Sequence, residues 1–288
     1  MRVIYLFNLI SILAIVILCS LQGVLKKPYT DKTKGKGVYF FTAATAFFAL
    51  VFFVISADGF EFKIGVLPYA AAFAIFYCLS TVFTVLAVPI GPLSLTTLMI
   101  SYSLLLPTFY GILFLDDKVT TGLVVGIVLL LISIFLSNGK IEGTGISVKW
   151  LIYAAIASVS NGMCSVMQKM EQVAFDGAFK NEFMIMALTI VMVVMILMIF
   201  IKERKEIKFY VKSGWLICTA CGVMNGMVNL LTMVVMGKMP LSVFYPVLSA
   251  GGLLATYLLS KFMYKEKLTK LQFAGLMVGM VSAVFLNI

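Results

Sequence analysis

The sequence predicts an all-α membrane protein of ten transmembrane helices, built from two inverted five-helix repeats. Three observations lead there. First, the 288 residues are 62% hydrophobic and only 12% charged, with a mean hydropathy of +1.10. Soluble domains average about 45–50% apolar and about 25% charged residues. Second, the apolar residues gather into runs of the ~20 residues that a spanning helix needs. Third, the runs repeat after every fifth.

Taken in order, the first run is Val3 to Leu25. Arg2 is its only positive flank, and no small-residue cleavage site closes it, so it is read as a retained span rather than a signal peptide. Leu18 before Cys19 also argues against lipoprotein processing. Span 2 is Val38 to Ala57, after the lysine-rich loop KKPYTDKTKGKG, and span 3 is Ile64 to Val88, with Pro68 near its start. Span 4, Pro92 to Leu115, and span 9, Pro240 to Phe262, each open on a proline, where the cost to a helix is small. Span 5 is Val119 to Ser137, span 6 is Val148 to Lys169 and span 7 is Phe183 to Ile201. Span 8, Gly214 to Met236, follows the charged loop KERKEIKFYVKS, and span 10 is Thr269 to Asn287. The connections are too short for a soluble domain. Residues 1–138 form the first repeat and 139–288 the second, in one integral membrane domain.

The duplication is legible residue by residue. Set PLSLTTLMISYSLLLPTFYGILF from Pro92 over PLSVFYPVLSAGGLLATYLLSKF from Pro240. Ser94 then meets Ser242, Ser101 meets Ser249, Thr108 meets Thr256 and Phe114 meets Phe262. After a one-residue gap DKVT at Asp117 meets EKLT at Glu266, Gly126 meets Gly275, Ser133 meets Ser282 and Asn138 meets Asn287. Earlier, Thr84 meets Thr232 and Gln22 falls near Gln168. Because five is odd, the second copy enters the membrane upside down relative to the first. That layout is typical of secondary transporters, which hold substrate near the midplane between the halves.

Charge orients the chain. The loops after spans 1, 3, 5, 7 and 9 hold sixteen of the 22 lysines and arginines, which makes them cytoplasmic and turns both termini outward. The net charge of +10 thus reflects topology, and no nucleic-acid partner is implied. With no histidine in the chain, a His-based relay, zinc site or catalytic triad is excluded. Each acid falls in a loop or at a span end, so no mid-depth carboxylate serves proton or cation handling. The five cysteines all lie in apolar runs, and Cys218 and Cys221 in CTAC read as small packing residues. No metal and no cofactor are expected.

Neutral polar residues form stripes at three- and four-residue steps, which is one helix face. Span 3 carries Tyr77, Thr81 and Thr84, and span 4 carries Ser94, Thr97, Ser101 and Thr108. Span 8 carries Cys218, Cys221, Gly222, Asn225, Asn229 and Thr232. Span 9 carries Ser242, Tyr245, Ser249, Gly252 and Thr256. The candidate substrate-cavity set is Tyr77, Thr81, Ser101, Tyr102, Asn161, Asn225, Asn229, Tyr245 and Ser249. Helix packing is the competing reading for the small and hydroxyl residues, whereas amides and phenols are bulky and need partners. Pro107 and Pro246, with Gly251 and Gly252, are candidate kinks or gates. Gly122 and Gly126 in span 5, and Gly275 and Gly279 in span 10, form GxxxG pairs for close helix packing, within the bundle or between protomers. Gly222 and Gly226 are compatible with either role.

Ten spans, a five-plus-five duplication, and the pattern PLS…P…GG…KEKLT…Q…G…G…N from Pro240 to Asn287 resemble the drug/metabolite transporter superfamily, of EamA type. The first-half segment GPLSLTTLMISYSLLLPTFYGILFLDDKVT is similar to the same unit. The resemblance covers nearly the whole chain. It implies a basket of ten helices in which spans 3, 4, 8 and 9, with parts of 1 and 6, surround a central cavity, while spans 5 and 10 lie outside. It also implies structural acids at Asp117 and Glu266, a bacterial cytoplasmic-membrane location, and cytoplasmic termini, against the charge count. LCSLQG at Leu18 to Gly23 stands where the family commonly has a tryptophan-glycine signature.

The expected function is therefore a secondary transporter, moving a small polar or zwitterionic metabolite by alternating access. With no buried acid, exchange or facilitated diffusion fits better than proton coupling. The alternative is an exporter of lipophilic drugs or a lipid-linked sugar, with an aromatic cavity open sideways to lipid. A receptor has no need of two mirrored halves, and an intramembrane enzyme would need a nucleophile and base, or metal ligands, at depth. The expected partners are a small-molecule substrate and the lipid bilayer, with the protein a monomer or homodimer.

Overall fold

The computed structural model describes residues 2–57, 59–91, 93–115, 119–137, 147–236, 241–265 and 269–285. These form α-helices and short 3-10 turns, with no strand among the described residues. In order the helices are α1 (Arg2–Thr33), α2 (Val38–Ser56), α3 (Leu67–Ala87), α4 (Leu93–Ser101), α5 (Leu105–Phe114) and α6 (Thr121–Ser137). They continue as α7 (Val148–Ala174), α8 (Lys180–Lys202), α9 (Ile207–Met236), α10 (Leu241–Tyr264) and α11 (Lys270–Phe285). Six are long and apolar enough to cross a membrane: those within Ile10–Thr33, Val38–Ser56, Ile64–Ala87, Val148–Ala174, Lys180–Lys202 and Arg204–Met236. The chain is an integral membrane protein. Its outer surface agrees, since Leu13, Ile17, Val54, Ile55, Leu197, Phe200, Ile201 and Leu216 are all exposed, a surface only lipid would tolerate.

Several helices run past the expected spans. α1 continues through Lys26, Lys27 and Pro28 to Thr33, where a loop was expected. Pro28 has no N–H to give the carbonyl of Val24. The Tyr264 hydroxyl donates to that carbonyl instead, at 2.8 Å, so a neighbouring helix satisfies what the proline freed. The extension packs against the early turns of α9: Tyr29 sits directly on Gly214, where a Cβ would clash with its ring. Its hydroxyl donates to the carbonyl of Gly37 at 2.6 Å. Gly37 holds φ +71°, a left-handed conformation that suits glycine, and it starts α2.

Span 4 is broken rather than kinked. A 3-10 turn, Tyr102–Leu104, separates α4 from α5. Pro107 is the cause, because it cannot donate to the carbonyl of Ser103. That carbonyl lies against Gly162 of α7, where a Cβ would strike it. Helix α10, by contrast, runs unbroken through Pro246, Gly251 and Gly252.

The helices pack in matched pairs. α3 lies on α7 and α8, while α9 lies on α1 and α2. α2 meets α8, α6 meets α11, α1 meets α10, and α4 and α5 meet α7. The α2–α9 contact is tight: a Cβ on Gly222 would meet the Thr45 carbonyl oxygen at 2.7 Å, and one on Gly226 would meet the Phe52 ring at 2.6 Å. These two glycines are packing residues. The largest buried cluster joins Phe53 of α2, Phe73 of α3, Cys164 of α7 and Phe183 of α8.

The two lysine-rich loops meet at one end of the bundle. Glu203, at the C-terminus of α8, accepts hydrogen bonds from the backbone N–H groups of Tyr39 (3.2 Å) and Phe40 (2.8 Å) in the first turn of α2. The carboxylate thus serves two of that helix's orphan donors. Burial nonetheless pushes the Glu203 carboxyl above its ordinary value, with the backbone N–H groups opposing the shift. At the opposite end, Tyr69 and Lys63 lie against Phe175 and Phe179 of the α7–α8 turn.

Candidate functional site

A cavity of about 300 Å³ lies in the middle of the bundle. Small-molecule sites span about 300–1,000 Å³, so it falls at the lower end of that range. α1 contributes Cys19, Gln22, Gly23 and Lys26, which share one face by their three- and four-residue spacing. α3 contributes Phe73, Tyr77, Ser80, Thr81 and Thr84, and α7 contributes Asn161, Cys164, Ser165 and Gln168. α9 adds Asn225, Val228, Asn229 and Thr232. Leu93, Thr96 and Ser103 come from the broken α4–α5 segment, and Leu248, Gly252 and Thr256 from α10.

The amides are organised into a chain. The Tyr77 hydroxyl donates to Asn225 Oδ1 at 3.1 Å. Asn229 Nδ2 donates to the same oxygen at 3.1 Å and to the Asn225 carbonyl at 2.9 Å. Gln168 Nε2 donates to Asn229 Oδ1 at 2.9 Å. One turn on, Gln172 Nε2 donates to the Met233 carbonyl at 3.2 Å. Across the cavity, Asn161 Nδ2 donates to Ser103 Oγ at 2.9 Å. Each such bond contributes about 1 kcal/mol, while orphaning one partner costs about 1–3 kcal/mol. The network ties α3, α7 and α9 together and fixes which amide atoms face inward.

Of the residues singled out from the sequence, Tyr77, Thr81, Asn161, Asn225 and Asn229 line this cavity together. The side chains of Ser101, Tyr245, Ser249 and Pro246 lie outside the described residues, as do those of Ser94, Thr97 and Ser242, and so do Asp117 and Glu266 entirely. Tyr102 is a correction. It is not among the cavity-lining residues; its hydroxyl donates to Ser133 Oγ of α6 at 3.0 Å, and it packs against the buried cluster of Ala87, Leu95, Trp150, Ala154 and Leu276. The cause is the 3-10 turn, which advances each residue by about 120° instead of about 100° and brings the next residue, Ser103, to the cavity. Pro107 is buried beside that break. Gly252 lines the cavity, and its neighbour Gly251 packs on Val16.

Gly122, Gly126, Gly275 and Gly279 are buried in α6 and α11, and none lines the cavity. Here the packing is reciprocal: Ser133 Oγ donates to the Gly275 carbonyl, and Ser282 Oγ to the Gly126 carbonyl, each at 2.6 Å.

Sequence reasoning missed Gln22, Lys26, Ser103 and Gln168. Gln22 and Gln168 had shown a signal, their near-equivalent positions in the repeat, and Lys26 stands one helical turn beyond Gln22. Glu171 needed the structure. It lies in the last turn of α7, wholly buried, and neither carboxylate oxygen has a hydrogen-bond partner.

No family model matches the chain, and no curated protein matches it significantly. Its fold is shared with a solved structure described only as "Crystal structure of protein". That structure covers 97% of this chain and 94% of its own length, with a TM-score of 0.67 at 14% identity.

Proposed function

We propose that the chain is a secondary transporter, moving a small polar metabolite across the cytoplasmic membrane by alternating access, with an architecture of the drug/metabolite transporter kind. The observation that carries this reading is the cavity: about 300 Å³ of amide- and hydroxyl-lined space inside a membrane protein. Both halves of the chain wall it.

The inverted repeat is part of the same proposal. Exchanging α1 with α7, α2 with α8, α3 with α9 and α6 with α11 turns the α3–α7 pair into α9–α1 and the α2–α9 pair into α8–α3. The crossed bonds of Ser133 and Ser282 exchange under the same operation. Glu203 at the start of α2 supports inversion as well. A second half inserted in the same sense as the first would place the α8–α9 loop at the far end of the bundle. Two mirrored halves around one site are what alternating access needs, since each conformation can mirror the other.

A lipophilic cargo fits less well, because Phe73 and Tyr77 are the aromatic residues of the lining. Exchange or facilitated diffusion is the proposed mode. The test is counterflow in proteoliposomes, with and without a pH gradient. Counterflow without a gradient supports the reading, and absence of counterflow refutes transport. Flux that needs the gradient and is lost in Glu171→Gln would replace exchange by proton coupling through the buried acid.

A further inference from the structure

We propose that the cavity selects a small solute bearing one carboxylate, which Lys26 and the amide of Gln22 hold. This deepens the transport reading and rests on it.

Lys26 is the one charged residue among the described residues that line the cavity, and no acid among them accompanies it. No carboxylate pairs with it among the described residues. The other lysines at this end of α1 are placed differently. Lys27 stands 4.7 Å over the Tyr264 ring, and Lys32 is exposed. An ammonium facing a cavity within a membrane protein is costly without a counter-charge, and a bound anion would supply one.

Gln22 provides the second, independent observation. It is 7% exposed, lines the cavity one turn before Lys26, and has no hydrogen-bond partner among the described residues. Its amide opens to the cavity with its hydrogen-bonding capacity unspent on protein, so it is available to a molecule that enters. Its N–H groups and the Lys26 ammonium are all donors, as a carboxylate requires. The amide of Asn225, on α9, which packs against α1, has a further donor, Nδ2, with no protein partner among the described residues.

The charge count narrows the class. A phosphate dianion is normally met by several cations or by the fork of an arginine, yet no arginine is among the described residues that line the cavity. A cationic amine would meet Lys26 and no acid. A single carboxylate balances the single lysine. At ~30 Å³ per water, the cavity of about 300 Å³ holds roughly ten waters, which sets the scale of the whole solute.

The experiment measures melting temperature of the purified full-length protein, titrated with lactate, alanine, glycerol, ethanolamine and inorganic phosphate. The proteins are wild type, Lys26→Gln, Lys26→Arg and the exposed control Lys32→Gln. Lactate or alanine is expected to stabilise the wild type, and glycerol, ethanolamine and phosphate to do so far less. Lys26→Gln should weaken carboxylate binding about tenfold or more, whereas Lys26→Arg and Lys32→Gln keep it. Should Lys26→Gln fail to fold, selectivity of the wild type decides, together with Gln22→Leu, which leaves the charge in place and should weaken carboxylate binding. No stabilisation by either carboxylate, equal stabilisation by glycerol or ethanolamine, a preference for phosphate, or unchanged binding in folded Lys26→Gln would each overturn the proposal. Carboxylate binding without counterflow would instead refute transport and leave this inference standing. Glycerol counterflow indifferent to Lys26→Gln would do the reverse.

Discussion

Gly252→Leu separates a cavity from a packing surface. A Cβ added at Gly252 meets nothing within 4 Å, whereas one at Gly251 meets Val16 Cγ2 at 2.9 Å and Cγ1 at 3.3 Å. A leucine at 252 adds four carbon atoms. At roughly one water volume each, ~30 Å³, they take about 120 Å³, some two-fifths of the space available. The fold should not suffer, because replacing a mid-helix glycine by leucine favours the helix by up to about 1 kcal/mol. A bound solute, however, must then compete with that side chain. Overpacking costs about 1–3 kcal/mol, which is about five- to 150-fold in affinity. Gly251→Leu should show the opposite pattern, losing about 1–3 kcal/mol of stability against Val16. The assay pairs thermal melting with counterflow in proteoliposomes. A folded Gly252→Leu protein that transports at the wild-type rate would refute the assignment of this cavity to the solute.

Three further outcomes follow from single contacts. Tyr264→Phe should cost about 1–3 kcal/mol by orphaning the Val24 carbonyl, and far less in a Pro28→Ala background, where the helix regains its own donor; a double-mutant cycle of melting measurements reads the difference. Gly162→Ala should destabilise by about 1–3 kcal/mol, because its Cβ meets the Ser103 carbonyl and Leu106 Cδ1, the latter at 2.7 Å, and both belong to the break in span 4. Glu203 sets a pH slope: its carboxyl is raised in the folded protein, so the folded state holds the proton more tightly than the unfolded one. Its contribution to stability therefore falls as pH rises from the ordinary carboxylate value through its folded value. The difference in melting temperature between wild type and Glu203→Gln should follow that fall, and a flat difference would show that Glu203 does not titrate in this way.

Residue types and periodicity carried much of the site. Tyr77, Asn161, Asn225 and Asn229 stand out in an apolar sequence because an amide or phenol at such a position needs a partner, and they do gather. Tyr102 was chosen as a phenol in need of a partner, and it finds that partner in Ser133 of α6 rather than in the cavity. Lys26 was hidden for another reason. A lysine at the end of an apolar run looks like every other loop lysine, and its role depends on α1 continuing beyond the run. Glu171 was read as a span-end acid, a position that by itself implies access to water; α7 continues past it and the surrounding helices close over it.

What the sequence alone determined was the environment: an all-α chain whose helices suit a bilayer. That follows from local chemistry, since a span must be apolar and satisfy its own backbone. What only the tertiary structure decided was the direction in which polar groups point. Whether Lys26 faces water or a cavity, and whether Gly251 or Gly252 borders open space, depends on which helix lies opposite. That depends in turn on helix extensions, a proline-freed carbonyl at Ser103 and glycine contacts such as Gly162, all set by partners distant in the chain.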